Sequence, residues 1–385
     1  MPDSKRYRTH QETVEQQNPK GYDYVVAIDA GYSAIKAFTE NKHFVFPSYA
    51  LRMTSGMLQV PKNTDILYKD NETGEIWMLG YEAQEMLSSD NTNDTDGELF
   101  SRKRYTNQTF RILCNAARGL ALWGKNDDRK VVIQTGLPTA YVKGDTVPLQ
   151  KALSAPADFS LKVGQLPWKR FNEQVAESDV YVMPQPAGAL YSALINNKGE
   201  FVPERKKMLS DESVIVLDIG FGTFDFYGIR NRQIVCCESI DELGMRQVLT
   251  RTSRKIFDEY GEDIRVQAIQ KNLESGKVVC VDDETMSSVE KPIDGLLEKA
   301  SEEVFEEAFR RAKAVTNAFR GYDKVIVAGG TGEAWFSKIQ KFFSGMTSLE
   351  VIPSNINDGL PFFYSISRGY YMFRSLQSWK GRPAQ

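Results

Sequence analysis

Two copies of one carboxylate–glycine loop constrain this chain more than any other feature. The first lies in V-V-A-I-D-A-G-Y-S-A-I-K-A-F, Val25 to Phe38, and the second in V-I-V-L-D-I-G-F-G-T-F-D-F-Y, Val214 to Tyr227. Each is an apolar run, then Asp-x-Gly, then small or polar residues, then an alternating apolar run. That is the pattern of a β-hairpin with an exposed turn. Gly31, Gly220 and Gly222 let a ligand approach the turn backbone closely, and the N–H groups of such a turn form an anion-binding nest. Asp29 and Asp218 end runs of buried type, where an unpaired carboxylate is costly. A hydrated divalent cation between the two loops offsets that cost. Two phosphate-binding hairpins facing each other imply a nucleotide held between two related domains.

A third segment completes the set. K-V-I-V-A-G-G-T-G-E-A-W-F, Lys324 to Phe336, reads as a strand, a glycine-rich turn and a helix start. Gly329, Gly330 and Gly332 remove side chains that would block a flat base and its ribose. One Asp-x-Gly alone is most simply an ordinary hairpin turn. Three segments in this order, two of them internally alike, point to a nucleotide site instead.

Composition narrows the chemistry. A chain of 385 residues suits two domains with full cores. Its 41% hydrophobic and 26% charged residues are those of a globular protein. A net charge of −3 argues against a general nucleic-acid surface. No apolar run is long enough to span a bilayer, the polar N-terminus has no signal-peptide core, and Ser375–Gln385 has no long amphipathic helix. The expectation is therefore a cytoplasmic protein without membrane attachment. Cys114, Cys236, Cys237 and Cys280 form no C-x-x-C pair and read as reduced structural thiols. His10 and His43 are the only histidines, which excludes a histidine triad or a His-rich metal site. The chemistry is left to carboxylates, an amide, a lysine and a metal.

Along the chain, residues 1–21 are polar and read as a flexible tail. Strand patterns follow at Tyr24–Ile28, Ala34–Thr39 and His43–Phe46, then a variable insert at about 48–104 with an exposed polar loop at Ser88–Gly97. Tyr105–Trp123 has helical spacing. Lys130–Gln134 and Asp179–Met183 are strand patterns, and Pro184-Gln185-Pro186 leads into a helix reaching about Asn196, with Pro186 suited to its first turn. Asn197–Asp211 is a polar connection. The hairpin set then repeats at Val214–Asp218, Thr223–Arg230 and Gln233–Cys237. A helix over Leu243–Tyr260, a smaller insert at about 262–292, an amphipathic helix over Asp294–Arg320 and a last helical pattern within Asp358–Phe373 complete the reading.

These motifs resemble those of the actin superfamily. The match is to its phosphate 1 motif (Asp29, Gly31, Ser33, Lys36), its phosphate 2 motif (Asp218, Gly220, Thr223, Asp225) and its adenosine motif (Gly329, Gly330, Gly332, Glu333). Within it the chain is most similar to the bacterial plasmid-segregation actins of the ParM type. D-x-G-x-x-x-I-K ending at Lys36, L-D-I-G-x-x-T-x-D, T-G-L-P at Thr135–Pro138 and V-M-P-Q-P-A-G-A-L at Val182–Leu190 carry that similarity. Phe221 departs from it, being bulky where the phosphate loop is often small or polar.

The resemblance implies an α/β, actin-like two-domain fold. Each domain has an RNase H-like mixed β-sheet flanked by helices, with the nucleotide in the interdomain cleft. Residues 22–197 form the first domain, completed by 355–385, and residues 198–354 form the second. It implies Mg2+ and ATP, with GTP the open alternative. Lys36 reaches the β/γ-phosphates, and Ser33 and Thr223 donate hydroxyls to phosphate. Gly31, Tyr32, Gly220, Phe221, Gly222, Gly244, Gly329, Gly330, Thr331 and Gly332 also line the nucleotide. Asp29 and Asp218 hold Mg2+ mostly through water and are catalytic together with Gln185, which orients the attacking water. Several ParM-type proteins have Glu at that position and eukaryotic actin has Gln. An amide orients rather than deprotonates, so turnover is modest. The implied function is a filament-forming ATPase that segregates plasmid DNA. Its partners are further copies of itself and a small DNA-binding adaptor at a centromere-like site, with no direct nucleic-acid binding. A sugar or small-carboxylate kinase is the runner-up, but no Asp general base with a sugar-contact set is found. A cell-shape actin and a chaperone-like ATPase, which needs a further peptide-binding domain, stand behind it.

Overall fold

The structure is a computed structural model, and it describes residues 4–54, 62–90, 102–282 and 284–380. The first strands of the two hairpins, Tyr24–Ala30 (β2) and Val214–Ile219 (β12), are buried at every residue. Such strands are stable only at the centre of a sheet covered on both faces. The first sheet accordingly runs β1 (Glu12–Glu15), β4 (Lys42–Pro47), β3 (Ala34–Phe38), β2, β8 (Val131–Leu137), β11 (Val180–Pro184). The second runs β14 (Gln233–Asp241), β13 (Thr223–Arg230), β12, β17 (Lys324–Ala328), β18 (Glu350–Pro353). From β4 to β11 and from β14 to β18 the pairing is the same. Two antiparallel steps through the hairpin are followed by two parallel ones. The repeat in sequence is a repeat in topology.

A third sheet, β10 (Lys169–Phe171), β9 (Phe159–Val163), β6 (Ile66–Asp70), β7 (Ile76–Leu79), β5 (Ala50–Arg52), takes up the insert expected near 48–104 and joins it to a later hairpin. Most of the exposed loop expected at Ser88–Gly97 lies outside the described residues. β15 (Lys277–Asp282) and β16 (Ser287–Pro292) form a separate hairpin. The amphipathic helix ends at Val315 rather than Arg320. Asn317, Ala318 and Phe319 have φ of 51°, 56° and 59°, and the turn they make buries the Phe319 side chain. Among the described residues no helix is long and apolar enough to cross a membrane, and the four cysteines are unpaired.

Two helices join the main sheets. Gln185–Leu194 packs on β12, β13 and β17, and Ser365–Lys380 on β2, β3 and β8. One apolar cluster takes Val25, Ala27 and Phe38 from the first sheet, Val214, Val216 and Ile326 from the second, and Ala189, Ala193 and Tyr370 from the helices. The helices touch backbone to backbone. A Cβ built on Gly369 falls 1.7 Å from the Gly188 carbonyl oxygen. Gly369→Ala therefore forces the helices apart, and overpacking of this kind costs about 1–3 kcal/mol or more. Thermal unfolding of the variant should show a clearly lowered Tm; an unchanged Tm would contradict the crossing. Buried Arg368 fixes the same junction. It donates to the Ser192 carbonyl at 2.9 Å and the Ile195 carbonyl at 3.1 Å, and it pairs with Asp358 at 2.9 Å. Carbonyls left open at the end of the Gln185–Leu194 helix are satisfied in this way.

The N-terminal residues correct the expectation of a flexible tail. Ser4–Tyr7 is a turn of 3-10 helix with Ser4 and Tyr7 buried. Glu12–Glu15 pairs with β4 in antiparallel register, Glu12 opposite Val45 and Glu15 opposite Lys42. All four residues of β1 are exposed. An edge strand held by main-chain hydrogen bonds needs no apolar alternation, so its sequence looked like a tail.

Candidate functional site

The two hairpin turns face each other across a cavity of about 570 Å3. Asp29, Gly31, Tyr32, Ser33 and Lys36 line it from the first hairpin, and Asp218, Gly220, Phe221, Gly222 and Thr223 from the second. Gln185 enters as the first residue of its helix, and Gly329, Gly330 and Thr331 come from the turn after β17. Gly244 and Gly332 are not on the cavity wall. A Cβ on Gly244 would stand 2.4 Å from the Gly220 carbonyl oxygen, so this glycine lets the next loop pass beneath the second turn. A Cβ on Gly332 would lie 3.1 Å from Val327, which places this residue in the packing of helix on strand. Gly329 has φ +82°, and a Cβ there would meet the Ile219 carbonyl oxygen at 2.3 Å, so only glycine turns the chain here.

The hairpins are alike in backbone and differ in charge. In the first, Asp29 stands directly across from Lys36, whose Nζ lies 3.2 Å from Asp29 Oδ2. The Gln185 amide donates to Asp29 Oδ1 at 3.0 Å. This carboxylate is held from two sides. In the second hairpin the residue across from Asp218 is another carboxylate, Asp225, and like charges directly opposite are unfavourable. Asp225 accepts from Thr223 Oγ1 at 2.6 Å, from Ser239 Oγ and from the Thr139 N–H at 3.1 Å. Burial still pushes it up to about 6. Burial, then Asp225 and Asp29, raise Asp218 well above the usual carboxylate range, with Lys36 opposing.

Those carboxylates test the fit of Mg2+. Burial first, and then the acids Asp225 and Asp29, raise the Asp218 carboxyl, with Lys36 opposing them. Among the described residues no three His, Cys, Asp or Glu side chains are grouped to grip an ion directly. This donor set fits Mg2+ retained through its own waters, the mode that Mg2+ prefers beside phosphates. Asp29 and Asp218 are the residues that would hold it.

Arg104, the Thr139–Tyr141 turn and Lys5–His10 were not legible from motifs. Arg104 is buried, donates to the Ala30 carbonyl at 2.6 Å and places its guanidinium 4.4 Å from the Tyr32 ring centre. Tyr32 in turn lies against Gly222, where a Cβ would come within 2.9 Å of its ring. The two hairpin turns thus pack on each other through one aromatic ring. Glu333 accepts from the Phe362 N–H at 2.9 Å, and burial raises its carboxyl. Thr331 Oγ1 donates to the Gly220 carbonyl at 2.7 Å, which ties the glycine-rich turn to the second hairpin. The turn Thr139–Tyr141 after β8 reaches the opposite sheet, where the Tyr141 hydroxyl donates to Asp241 at 2.6 Å. Lys5–His10 also line the cavity. No signal in a short polar stretch marks it as a wall.

Residues 27–188 match the family described as the N-terminal domain of actin-like proteins. No curated protein matches the chain in sequence. Among solved structures, the chain is similar to a 15-stranded ParM filament from Clostridium botulinum, with 19% identity, TM-score 0.69, and coverage of 92% of this chain and 99% of that one. The psk41 ParM protein in its apo form gives 20%, 0.62, 93% and 98%. An archaeal actin homologue in complex with ADP gives 18%, 0.57, 91% and 99%. At these identities the structures speak to fold, and they share the two-domain build described above. Residues 27–188 thus match the N-terminal domain of actin-like proteins, and the chain, with its duplicated sheets joined around one cavity, is similar in fold to ParM proteins and to an archaeal actin homologue.

Proposed function

We propose that this protein is a Mg2+-dependent nucleoside triphosphatase whose nucleotide state drives its assembly into filaments, and that these filaments segregate plasmid DNA. ATP is the expected nucleotide, with GTP tested beside it. The observation that carries the reading is the cavity between the paired turns, with Lys36 and Gln185 both on Asp29. A filament of a ParM protein and an ADP complex of an archaeal homologue, both of similar fold, support it. So does the net charge of −3, which favours contact with DNA through a small adaptor. In this reading residues 22–197 with 355–385 act as one domain and 198–354 as the other, working in the cytoplasm.

The chemical roles follow from position. Turn N–H groups at Gly31, Gly220 and Gly222 and the hydroxyls of Ser33 and Thr223 bind phosphate oxygens. Lys36 moves from Asp29 toward the β/γ-phosphates, at little cost, because its Nζ already faces the cavity. Mg2+ held by Asp29 and Asp218 would supply positive charge to the phosphates. Gln185, buried and fixed on Asp29, positions the attacking water rather than taking its proton.

The test is assembly. Light scattering and pelleting at micromolar protein should rise with ATP or GTP plus Mg2+ and stay low without nucleotide. A protein that remains monomeric, yet transfers phosphate to a small molecule, would overturn the reading in favour of a kinase.

A further inference from the structure

The N-terminal segment runs from one half of the molecule to the other across the cavity. At its start it is anchored on the second half. Ser4 Oγ donates to the Leu273 carbonyl at 2.8 Å. Tyr7 is 5% exposed within the core of that half, its hydroxyl 3.1 Å from Ser301 Oγ, which also accepts from Trp335 at 2.9 Å. Arg6 pairs with Glu298 at 2.7 Å. A few residues later the same segment is anchored on the first half. The Tyr81 hydroxyl donates to the Thr9 carbonyl at 2.6 Å, Gln11 Oε1 accepts from the Tyr81 N–H at 2.8 Å, and Gln11 Nε2 donates to the Thr64 carbonyl at 2.6 Å. Glu12–Glu15 then joins the first sheet. Between the anchors, the His10 ring stacks on Phe363 at 5.1 Å.

We propose that residues 4–15 are an interdomain strap that forms one wall of the cavity and, by holding the two halves together, sets how fast its ligand leaves. The restraint is mechanical. The halves cannot separate without stretching a segment fixed at both ends within a few residues. The anchors that count are a buried ring and hydrogen bonds to main-chain groups; the partly exposed Arg6–Glu298 pair adds little. The halves also meet at the helix junction with its apolar cluster and at the Thr139–Tyr141 turn; at the edge beside the strap, the described residues give polar pairs. Gln84 donates to Gln270, and Lys271 lies 3.1 Å from Glu85 with both side chains about half exposed. The half-exposed ion pair is worth little, so at this edge the strap is the stronger tie. That the ligand is a nucleotide rests on the preceding section; the mechanical role does not.

The experiment reads both ends. Hydrogen–deuterium exchange of the full-length protein without nucleotide follows residues 81–86 of the first half and 268–275 of the second, in Tyr7→Ala and in Gln11→Ala. Each variant should raise exchange several-fold on the half that it does not touch. Release of a fluorescent ATP analogue, chased with excess ATP, should be at least about tenfold faster in both. Tyr7→Phe, which keeps the ring and loses the hydroxyl, should lie between wild type and Tyr7→Ala. Exchange raised only beside each substitution would overturn the strap, as would unchanged release. Opposite-side exchange with no nucleotide bound by the wild type would uphold the strap and remove the nucleotide reading instead.

Discussion

Asp218→Ala will lose Mg2+-dependent hydrolysis by at least about two to three orders of magnitude, the scale for removing a group that organises charge at a reacting phosphate. It will lose nucleotide-driven assembly with it. The fold will survive. Asp218 ends a strand buried at every residue and faces Asp225 across the hairpin, and its carboxyl is pushed upward by burial and by its acidic neighbours. A buried group held in an unfavourable charge state is a cost to the apo-protein. Asp218→Asn should therefore raise the Tm of the nucleotide-free protein at neutral pH while abolishing turnover. The sign follows from linkage. A carboxyl whose folded value is raised contributes stability at low pH that is lost as pH rises. The advantage of the Asn variant should grow as pH rises from the ordinary carboxylate range and vanish below it. Calorimetry across pH, paired with phosphate release, checks both halves. Full ATPase activity in either variant would remove Asp218 from the site.

Gln185→Ala will bind nucleotide and assemble, but its phosphate release will fall by roughly one to three orders of magnitude, as expected for loss of a positioning group. The amide is 9% exposed at the head of its helix and bonded to Asp29 at 3.0 Å. It sits where the chain leaves β11, with Pro184 and Pro186 on either side fixing the backbone. The truncation deletes the amide without altering that turn. In the proposed function, contacts to the γ-phosphate hold the halves closed until hydrolysis, so filaments of the variant should persist. Wild-type phosphate release by the variant would take Gln185 out of the mechanism. Slow release with normal disassembly would keep its role and break the tie between hydrolysis and filament lifetime.

How much of this could be read from sequence depends on what each residue is recognised by. The two hairpins were legible because burial on both faces demands unbroken apolar runs, and the turns demand Asp and Gly at fixed places. The helix entered at Gln185 was legible from its two prolines. Arg104 was not, because one arginine before a helix has no pattern; only folding brings it over Tyr32. Gly244 was read as a ligand contact, whereas it stands under the second turn. A glycine required by a neighbouring backbone and one required by a ligand look alike in sequence. The helix Val142–Ser154 carries Pro148 and little apolar repeat, and β9 and β10 belong to a sheet whose other strands are far away in the chain. The strap was the plainest loss. Its polar residues suggested a tail, and its anchors are main-chain bonds and one tyrosine, which periodicity does not register.

One measurement bears most directly on the central claim that the cavity between the hairpins couples hydrolysis to assembly. A single addition of ATP and Mg2+ to the purified protein is followed at once by light scattering and by phosphate release. The account predicts scattering that rises on addition, holds while ATP lasts and decays after phosphate release levels off, with neither signal in Asp218→Ala. Scattering that ignores nucleotide, or phosphate released with no scattering at any protein concentration, would contradict it.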